Sequence, residues 1–189
     1  MFDIAIIGAG PAGASAALFA AKAGKKTVVI DSGKGMTKRA RLENLYGIQE
    51  VSGPDLVDIG IQQFKKFGAA YIKDVVNNAQ KNDAGFTITT EKNGVIEAKH
   101  LILATGLGLD LAEKLGVEMK AGTEPRIKTV LVADAEGKTN IDGVWAAGTC
   151  AGVSVHAVIT AGDGAKVAIN VISEMNGERY VDHDILQPK

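Results

Sequence analysis

The chain has 189 residues, of which 46% are hydrophobic and 23% are charged, with a formal net charge of −1. This near-neutral balance provides no broad basic face, so we expect no nucleic-acid partner, and the single cysteine, Cys150, leaves no residue for an intramolecular disulfide or a C-x-x-C redox pair. The sequence predicts neither a secretory signal nor a membrane span, so we expect one cytoplasmic domain with no membrane partner.

Residues 4–31 predict a strand, a glycine-rich turn, a small-residue helix and a second strand that ends at Asp31. In this arrangement Gly8 turns the chain sharply, Gly10 lets a pyrophosphate approach the backbone, and Gly13 lets the helix pack close to the sheet. The N–H groups and the positive dipole end at the helix start favour phosphates, and an acid at the position of Asp31 can bind an adenosine ribose. The pattern therefore predicts a dinucleotide-binding βαβ unit.

The middle of the chain predicts a long loop, a helix and a small sheet. Residues 32–53 form an irregular stretch of a length that is usually functional or mobile, and apolar residues at helical spacing predict a helix from Pro54 to Gly68. Three β-like runs then predict a small antiparallel sheet: Tyr71–Val76, Phe86–Thr90 and Val95–Ala98.

The last part of the chain repeats the strand-turn-helix theme of its start. A buried strand is predicted at His100–Ala104, a short helix at 109–116 and a strand at 126–133. A further strand at Gly143–Ala147 leads through a glycine-bearing turn into a long helix from Ser154 or Val155 to about Met175. Two helix N-termini can therefore face one elongated ligand. Because glycine disfavours a helix interior, we expect Gly162 and Gly164 to mark a close approach to a neighbouring backbone or a ligand.

Four motifs occur in order along the chain: GAGPAGASAA, LENLYG, LILATG, and GVWAAGTCAG followed by HAVITAGDGAKVAIN. In this order they resemble the FAD-binding domain of the thioredoxin reductase family of pyridine nucleotide-disulfide oxidoreductases. The resemblance covers nearly the whole chain except residues 107–122 and the tail after Gly177. It implies an α/β fold, namely an FAD-type Rossmann domain with a parallel sheet and a small antiparallel β-meander, over residues 1–176, followed by a tail at 177–189.

The resemblance also implies which residues contact FAD, from the pyrophosphate and ribose at one end to the flavin ring at the other. The implied contacts are Gly8, Gly10, Pro11, Ala12 and Gly13 for the pyrophosphate, Asp31 for the ribose with Ser32 beside it, Met36 and Asn44 for the flavin side, Val76 for the adenine, Ala104, Thr105 and Gly106 near the nucleotide, Gly148 and Thr149 for the ribityl chain, and His156 and Ala157 for the flavin pyrimidine.

The departures from the family pattern limit the function that the resemblance implies. The chain has no second G-x-G-x-x-G/A turn, and residues 107–122 bridge the position where the family inserts an NAD(P)H domain. Thr149 replaces an acid, and Val155 and His156 replace Arg-Gln. We therefore expect an FAD oxidoreductase that uses free NAD(P)H or a reductase partner, not a thioredoxin reductase. The alternatives are a non-catalytic FAD module, a subunit of a two-protein reductase, or an NAD-binding protein without flavin; a homodimer is the family expectation.

Several side chains leave two interpretations open. His156 either tunes the flavin or is only a structural neighbour, and Tyr46 either stacks on the flavin or fills the core of its loop. Cys150 is expected to be a small buried residue rather than a redox thiol, and no metal site is predicted. His100 and His183 are expected at the surface. The loop cations either neutralise phosphates or, as expected for most of them, belong to a solvated loop: Lys34, Lys38, Arg39 and Arg41.

Overall fold

The structure is a computed structural model that describes residues 1–186. Two short 3₁₀ helices occur at Met36–Arg39 and Gly148–Ala151. The strands and helices are β1 (Phe2–Ile7), α1 (Pro11–Lys22), β2 (Thr27–Asp31), β3 (Arg41–Leu42), β4 (Val51–Ser52), α2 (Gly53–Lys66), β5 (Ala70–Lys73), β6 (Val76–Asn82), β7 (Gly85–Thr90), β8 (Val95–Leu103), α3 (Asp110–Leu115), β9 (Met119–Ala121), β10 (Thr129–Leu131), β11 (Val144–Ala146) and α4 (Ala157–Asn176).

The main sheet is parallel at its centre, with the strands in the order β5-β2-β1-β8-β11. The first half of β8 also pairs antiparallel with β7, which pairs antiparallel with β6, so these three strands form the meander. The α/β fold predicted above, a Rossmann domain with a small meander, is confirmed. Because parallel strands end at the same edge, the turns after β1, β2, β8 and β11 meet there, where open α/β sheets bind their ligands.

The two faces of the sheet form two apolar layers, because successive side chains of a strand point to opposite faces. Ile4, Ile6 and Trp145 pack against α1, α2 and α4 on one face. Ala5 and Ile7 point to the other face, which the meander, α3 and the β9–β10 hairpin cover. The glycine turn after β1 thus projects from a strand that is buried on both sides.

Two of the predicted strand assignments are wrong in the structure. Residues 70–73 pair in parallel with β2 at the edge of the main sheet, and the third meander strand is Val76–Asn82 rather than Tyr71–Val76. The runs predicted at Val95–Ala98 and His100–Ala104 belong to one continuous strand, β8, which ends at Leu103. Local patterns show that these residues are extended, but the pairing partner depends on distant residues.

The other boundaries differ by a few residues. Within the segment 126–133 only Thr129–Leu131 is a strand, and it pairs with β9, which was not predicted. The last helix begins at Ala157 rather than at Ser154 or Val155. The predicted short helix at 109–116 is confirmed as α3.

Asp74 holds the tip of the β7–β8 hairpin. Its carboxylate accepts hydrogen bonds from the backbone N–H groups of Val75 (2.8 Å), Lys92 (3.0 Å) and Asn93 (2.9 Å), and from the Asn93 side-chain amide (2.6 Å). Burial alone would raise the pKa of Asp74, but these hydrogen bonds lower that pKa well below its ordinary value. The carboxylate therefore stabilises the hairpin in its ionised form.

His100 is half-buried rather than at the surface, so that expectation is wrong. It lies on β8 facing the helices, and its Nδ1 atom is buried without a hydrogen-bond partner among the described residues. Burial lowers the pKa of His100. His183, in contrast, is exposed as expected.

Candidate functional site

The turn after β1 needs glycine at the positions that the sequence singles out. Gly8 has φ +106°, and a Cβ on Gly8 would overlap the carbonyl oxygen of Ala104. A Cβ on Gly13 would overlap the carbonyl oxygen of Gly8, so the first turn of α1 packs directly on the loop. Gly10 is different, because a Cβ there would have Thr37 Oγ1 as its nearest neighbour, at 3.9 Å. The backbone at Gly10 is therefore open to a ligand.

The helix α1 begins without a side-chain cap. The N–H groups of its first turn have no acceptor within the helix, and no side chain accepts from them. The helix α2 is built differently, because Ser52 caps it by accepting a hydrogen bond from Asp55 N–H (3.2 Å). The start of α1 thus keeps its donors and its positive dipole end available for an anion.

Asp31 fastens the glycine turn to the end of β2. Its carboxylate is buried and accepts hydrogen bonds from the N–H groups of Ala9 (3.1 Å) and Gly33 (2.9 Å). Burial and the nearby charge of Asp31 raise the pKa of Tyr71. The neighbouring Ser32 is exposed, and its hydroxyl accepts from Lys34 N–H (3.3 Å). Asp31 therefore has a structural role in the turn in addition to the predicted ribose contact.

The turn after β11 is the second glycine turn of the site. Gly148 has φ +79°, and its N–H donates a 2.7 Å hydrogen bond to the buried carboxylate of Asp163 on α4. The other carboxylate oxygen of Asp163 is 2.7 Å from Lys166 Nζ. Sequence reasoning missed Asp163; the available signal was an acid among small and apolar residues on the face of α4 that is buried. Thr149, the predicted ribityl contact, is half-buried beside this turn.

The helices α1 and α4 cross in very close contact. A Cβ on Gly164 would overlap the carbonyl group of Ala12, whereas no atom lies within 4 Å of the corresponding position on Gly162. The expected close approach is therefore confirmed for Gly164, but no protein backbone approaches Gly162. This contact holds the start of α1 against α4.

A cleft of about 150 Å³ lies where α1, α2 and α4 meet the first glycine turn. We call it the α1–α4 cleft. Gly10 and Pro11 line it from the first turn, and Ala157 and Ala161 line it from α4. The N-termini of both helices thus border one cavity, and α4, like α1, has no side-chain cap.

The residues after β8 lie beside the first glycine turn. Ala104 N–H donates to Ile7 O (2.9 Å), and Gly106 follows in the left-handed conformation with φ +64°. Thr105 Oγ1 is buried without a hydrogen-bond partner among residues 1–186. Val76 begins β6 close to the end of β2, because Asp74 N–H donates to Asp31 O (3.0 Å).

The loop between β2 and α2 exposes most of its predicted contact residues. Met36 and Asn44 are exposed, and Tyr46 is 96% exposed, which excludes the interpretation that Tyr46 fills the core of its loop. The predicted loop cations Lys34, Lys38, Arg39 and Arg41 are also exposed, as expected.

Cys150 is buried beneath the second glycine turn. Its Sγ lies 3.2 Å from Leu103 O and 3.3 Å from Ala147 O, and burial raises the pKa of its thiol. The expectation of a small buried cysteine is confirmed. A buried thiol with a raised pKa is a poor nucleophile.

His156 precedes α4 as its N-cap residue and is exposed. Its Nδ1 atom is 2.8 Å from Ser154 Oγ, which lies 3.3 Å from Glu124 Oε2. Glu124 belongs to the connection between β9 and β10, a segment that sequence reasoning did not connect with the site. These contacts and the exposure of the ring leave both interpretations of His156 open.

Two kinds of feature do not occur among residues 1–186. None of the helices there is both long enough and apolar enough to cross a membrane. No group of three or more His, Cys, Asp or Glu side chains in this part of the chain is arranged to hold a metal ion.

Comparison with known proteins identifies related sequences. The family profile described as pyridine nucleotide-disulphide oxidoreductase matches residues 2–72 and 43–168. Thioredoxin reductases from Listeria monocytogenes and Helicobacter pylori are 37% identical over 113 residues and 38% identical over 112 residues. Each match covers 56% of this chain but only 34% and 36% of the respective relative, so the chain matches about a third of their length.

Solved structures share the fold. The atypical thioredoxin reductase from Desulfovibrio vulgaris Hildenborough superposes with a TM-score of 0.83 at 22% identity, covering 94% of this chain and 99% of that one. A thioredoxin reductase from Gloeobacter violaceus gives a TM-score of 0.83 at 18% identity, covering 98% and 99% of the two chains.

Proposed function

Since this chain belongs to the pyridine nucleotide-disulphide oxidoreductase family, we propose that it is an FAD-binding oxidoreductase that takes electrons from free NAD(P)H or from a partner protein. The observation that carries the proposal is that α1 and α4, both without a side-chain cap, begin at the same cleft. Two positive helix ends on one cavity suit an elongated anionic ligand.

The residues of the first glycine turn fit a dinucleotide. Gly10 is open to a pyrophosphate, and the uncapped N–H groups of Ala12 and Gly13 supply donors for it. Asp31 keeps acceptor capacity for a ribose hydroxyl, because an ionised carboxylate accepts more than the two hydrogen bonds it makes here. Thr105 Oγ1 is a buried polar atom that lacks a partner among the described residues beside this turn.

The flavin would supply the redox chemistry itself. The chain's own residues would bind and orient it: Gly148 and Thr149 at the ribityl chain, and His156 with Ala157 at the start of α4. Asp163 fixes the Gly148 turn through its 2.7 Å hydrogen bond and so holds this half of the site in shape before a ligand binds.

We also propose that residues 1–176 form a single FAD-binding domain and that residues 177–189 form a tail. Within the described part of the tail, Asp182 and Asp184 pair with Lys22 at the end of α1 (2.8 and 2.7 Å). Residues 107–122 would then replace the inserted NAD(P)H domain; in the structure they contribute α3 and β9.

This chain is not expected to reduce thioredoxin by itself. It has one cysteine, which is buried, so it cannot pass electrons through a dithiol to a disulfide substrate. Without a domain that holds nicotinamide at the flavin, hydride transfer loses much of the benefit of proximity. The same observation favours a second candidate, a flavin-binding subunit that needs a separate reductase protein.

The visible absorption spectrum of the purified chain tests the proposal. We expect about one FAD per chain, released by heat or acid because the sequence has no His or Cys at an obvious attachment position. A chain that stays colourless after incubation with excess FAD contradicts the proposal. Anaerobic addition of NADH or NADPH then separates an oxidoreductase that uses free NAD(P)H, which bleaches without a partner, from a flavoprotein that needs a partner protein as its electron source. Light scattering of the same sample measures its molar mass and so tests whether the chain forms the expected homodimer.

A further inference from the structure

Three polar side chains from two distant parts of the chain form a hydrogen-bonded series at the start of α4. Glu124 lies in the connection between β9 and β10, whereas Ser154 and His156 immediately precede the helix. Ser154 Oγ is 3.3 Å from Glu124 Oε2 and 2.8 Å from His156 Nδ1. We call this series the Glu124–Ser154–His156 relay.

The number of available protons decides which group donates in each of the two hydrogen bonds of the relay. The Ser154 hydroxyl has one proton, and an ionised carboxylate has none to give. If Ser154 donated to His156, its oxygen lone pairs would face the Glu124 carboxylate at 3.3 Å. If Ser154 donates to Glu124, the ring nitrogen Nδ1 must carry a proton and donate to Ser154. Only the second arrangement makes both contacts favourable.

We propose that Glu124 and Ser154 are positioning residues that hold His156 as the Nδ1–H tautomer, which leaves Nε2 as the only ring nitrogen available to a ligand. A histidine ring nitrogen is commonly fixed in this way by the hydrogen bond that the other nitrogen makes. The importance of this tautomer for a flavin rests on the function proposed above, but the tautomer itself does not.

The backbone at Glu124 forms a tight turn. Ile127 N–H donates to Glu124 O (3.1 Å), which closes a four-residue turn with Pro125 second and Arg126 third. Arg126 has φ +69°, the only non-glycine residue in the left-handed region among residues 1–186. The third position of such a turn normally takes glycine or asparagine, because a side chain is disfavoured in the left-handed region.

The tautomer determines what His156 can offer a ligand. In the neutral ring, Nδ1–H is committed to Ser154 and Nε2 is an acceptor. The ring therefore accepts a hydrogen bond from an N–H or O–H group of a ligand, and it can donate to an anionic group only after taking up a second proton. An unconstrained histidine could offer either nitrogen as a donor.

Nitrogen-15 NMR of the histidine side chains tests this assignment in the full chain without added flavin. The chain has only three histidines, and a His156→Gln variant identifies the signal of interest. At about pH 8, where an ordinary imidazole is neutral, we expect His156 Nδ1 to show the shift of a protonated nitrogen and Nε2 that of an unprotonated one.

Matched variants separate the relay from a general structural effect. Ser154→Ala and Glu124→Ala should each lower the ratio of the Nδ1–H to the Nε2–H tautomer by about fivefold, the equivalent of one typical hydrogen bond. Ser154→Thr retains the hydroxyl and should retain the tautomer. Thr123→Ala changes a neighbour on the same connection and should have no effect.

A wild-type ring that is mainly Nε2–H overturns the proposal, and so does a ratio that stays unchanged in both alanine variants. An unaltered His100 signal reports that each variant is folded. FAD titration of the same samples tests the proposed function separately. If the relay signals are as expected but FAD does not bind, the relay stands and the flavin role is refuted. If FAD binds but His156 is mainly the Nε2–H tautomer, the relay is refuted and the FAD proposal stands.

Discussion

Two glycines on the same helix provide a matched test of how closely α1 and α4 pack. Gly164→Ala places a methyl group where it overlaps the Ala12 carbonyl, with 2.7 Å to the carbonyl carbon and 2.8 Å to Ala12 Cα. Gly162→Ala places the same methyl group on the same helix in open space. Both changes gain about 1 kcal/mol of helix propensity, so this gain cancels when the two variants are compared.

The difference in unfolding free energy between the two variants therefore measures the packing cost alone. Overpacking a tight contact costs about 1–3 kcal/mol, and we expect the upper part of this range because the obstructing group is backbone and cannot rotate away. Gly162→Ala should raise the free energy of unfolding by up to about 1 kcal/mol. Gly164→Ala should lower it by about 1–2 kcal/mol, the packing cost less the propensity gain.

Urea unfolding monitored by circular dichroism gives the two free energies, and thermal unfolding gives an independent comparison. For a chain of this size a 1 kcal/mol change shifts Tm by about 2–4 °C, so the two variants should differ by about 5–10 °C. Equal shifts of the same sign in both variants would refute the close contact between Gly164 and α1.

Three further predictions each concern the replacement of one carboxylate side chain. Asp163→Ala leaves the Gly148 N–H buried without its partner and should cost about 2–3 kcal/mol of unfolding free energy, whereas Asp163→Asn, which keeps an acceptor, should cost less; chemical unfolding measures both. If the FAD proposal holds, Asp31→Ala should weaken FAD binding by about one to two powers of ten, and the exposed control Arg39→Ala by less; a larger loss for Arg39→Ala would mean that the ribose lies elsewhere. The lowered pKa of Asp74 contributes stability above the ordinary carboxyl pKa that is lost as pH falls, so unfolding free energy should drop below about pH 4; an equally steep drop in Asp74→Asn would contradict this.

Features that depend on local sequence were predicted well. The β1–turn–α1 unit follows from glycines spaced within a few residues of each other, and Gly13 has its steric reason within that same segment, where it packs on Gly8. The long helix near the C-terminus and its glycine turn were identifiable for the same reason. These two strand–turn–helix units are therefore visible in short windows of this sequence.

Features that depend on distant pairing could not be predicted. The segment at residues 70–73 is short and half-buried, and whether it joins β2 or the meander is decided by packing rather than by its own pattern. Glu124 reaches Ser154 only because the β9–β10 hairpin folds back onto the start of α4. Asp163 is an acid on the buried face of α4, and its partner Gly148 N–H is visible only in the folded chain.

The length of strand β8 affects how this molecule unfolds. Residues near its start bond to β7, and residues near its end bond to β1 and β11, so one unbroken strand belongs to both the meander and the parallel layer. Separating the meander from the parallel strands would break hydrogen bonds along one continuous strand rather than bend a flexible hinge. We therefore expect the meander and the parallel strands to unfold as one cooperative unit, and a fluctuation that opens the β7–β8 hairpin to disturb the strand that ends beside the first glycine turn.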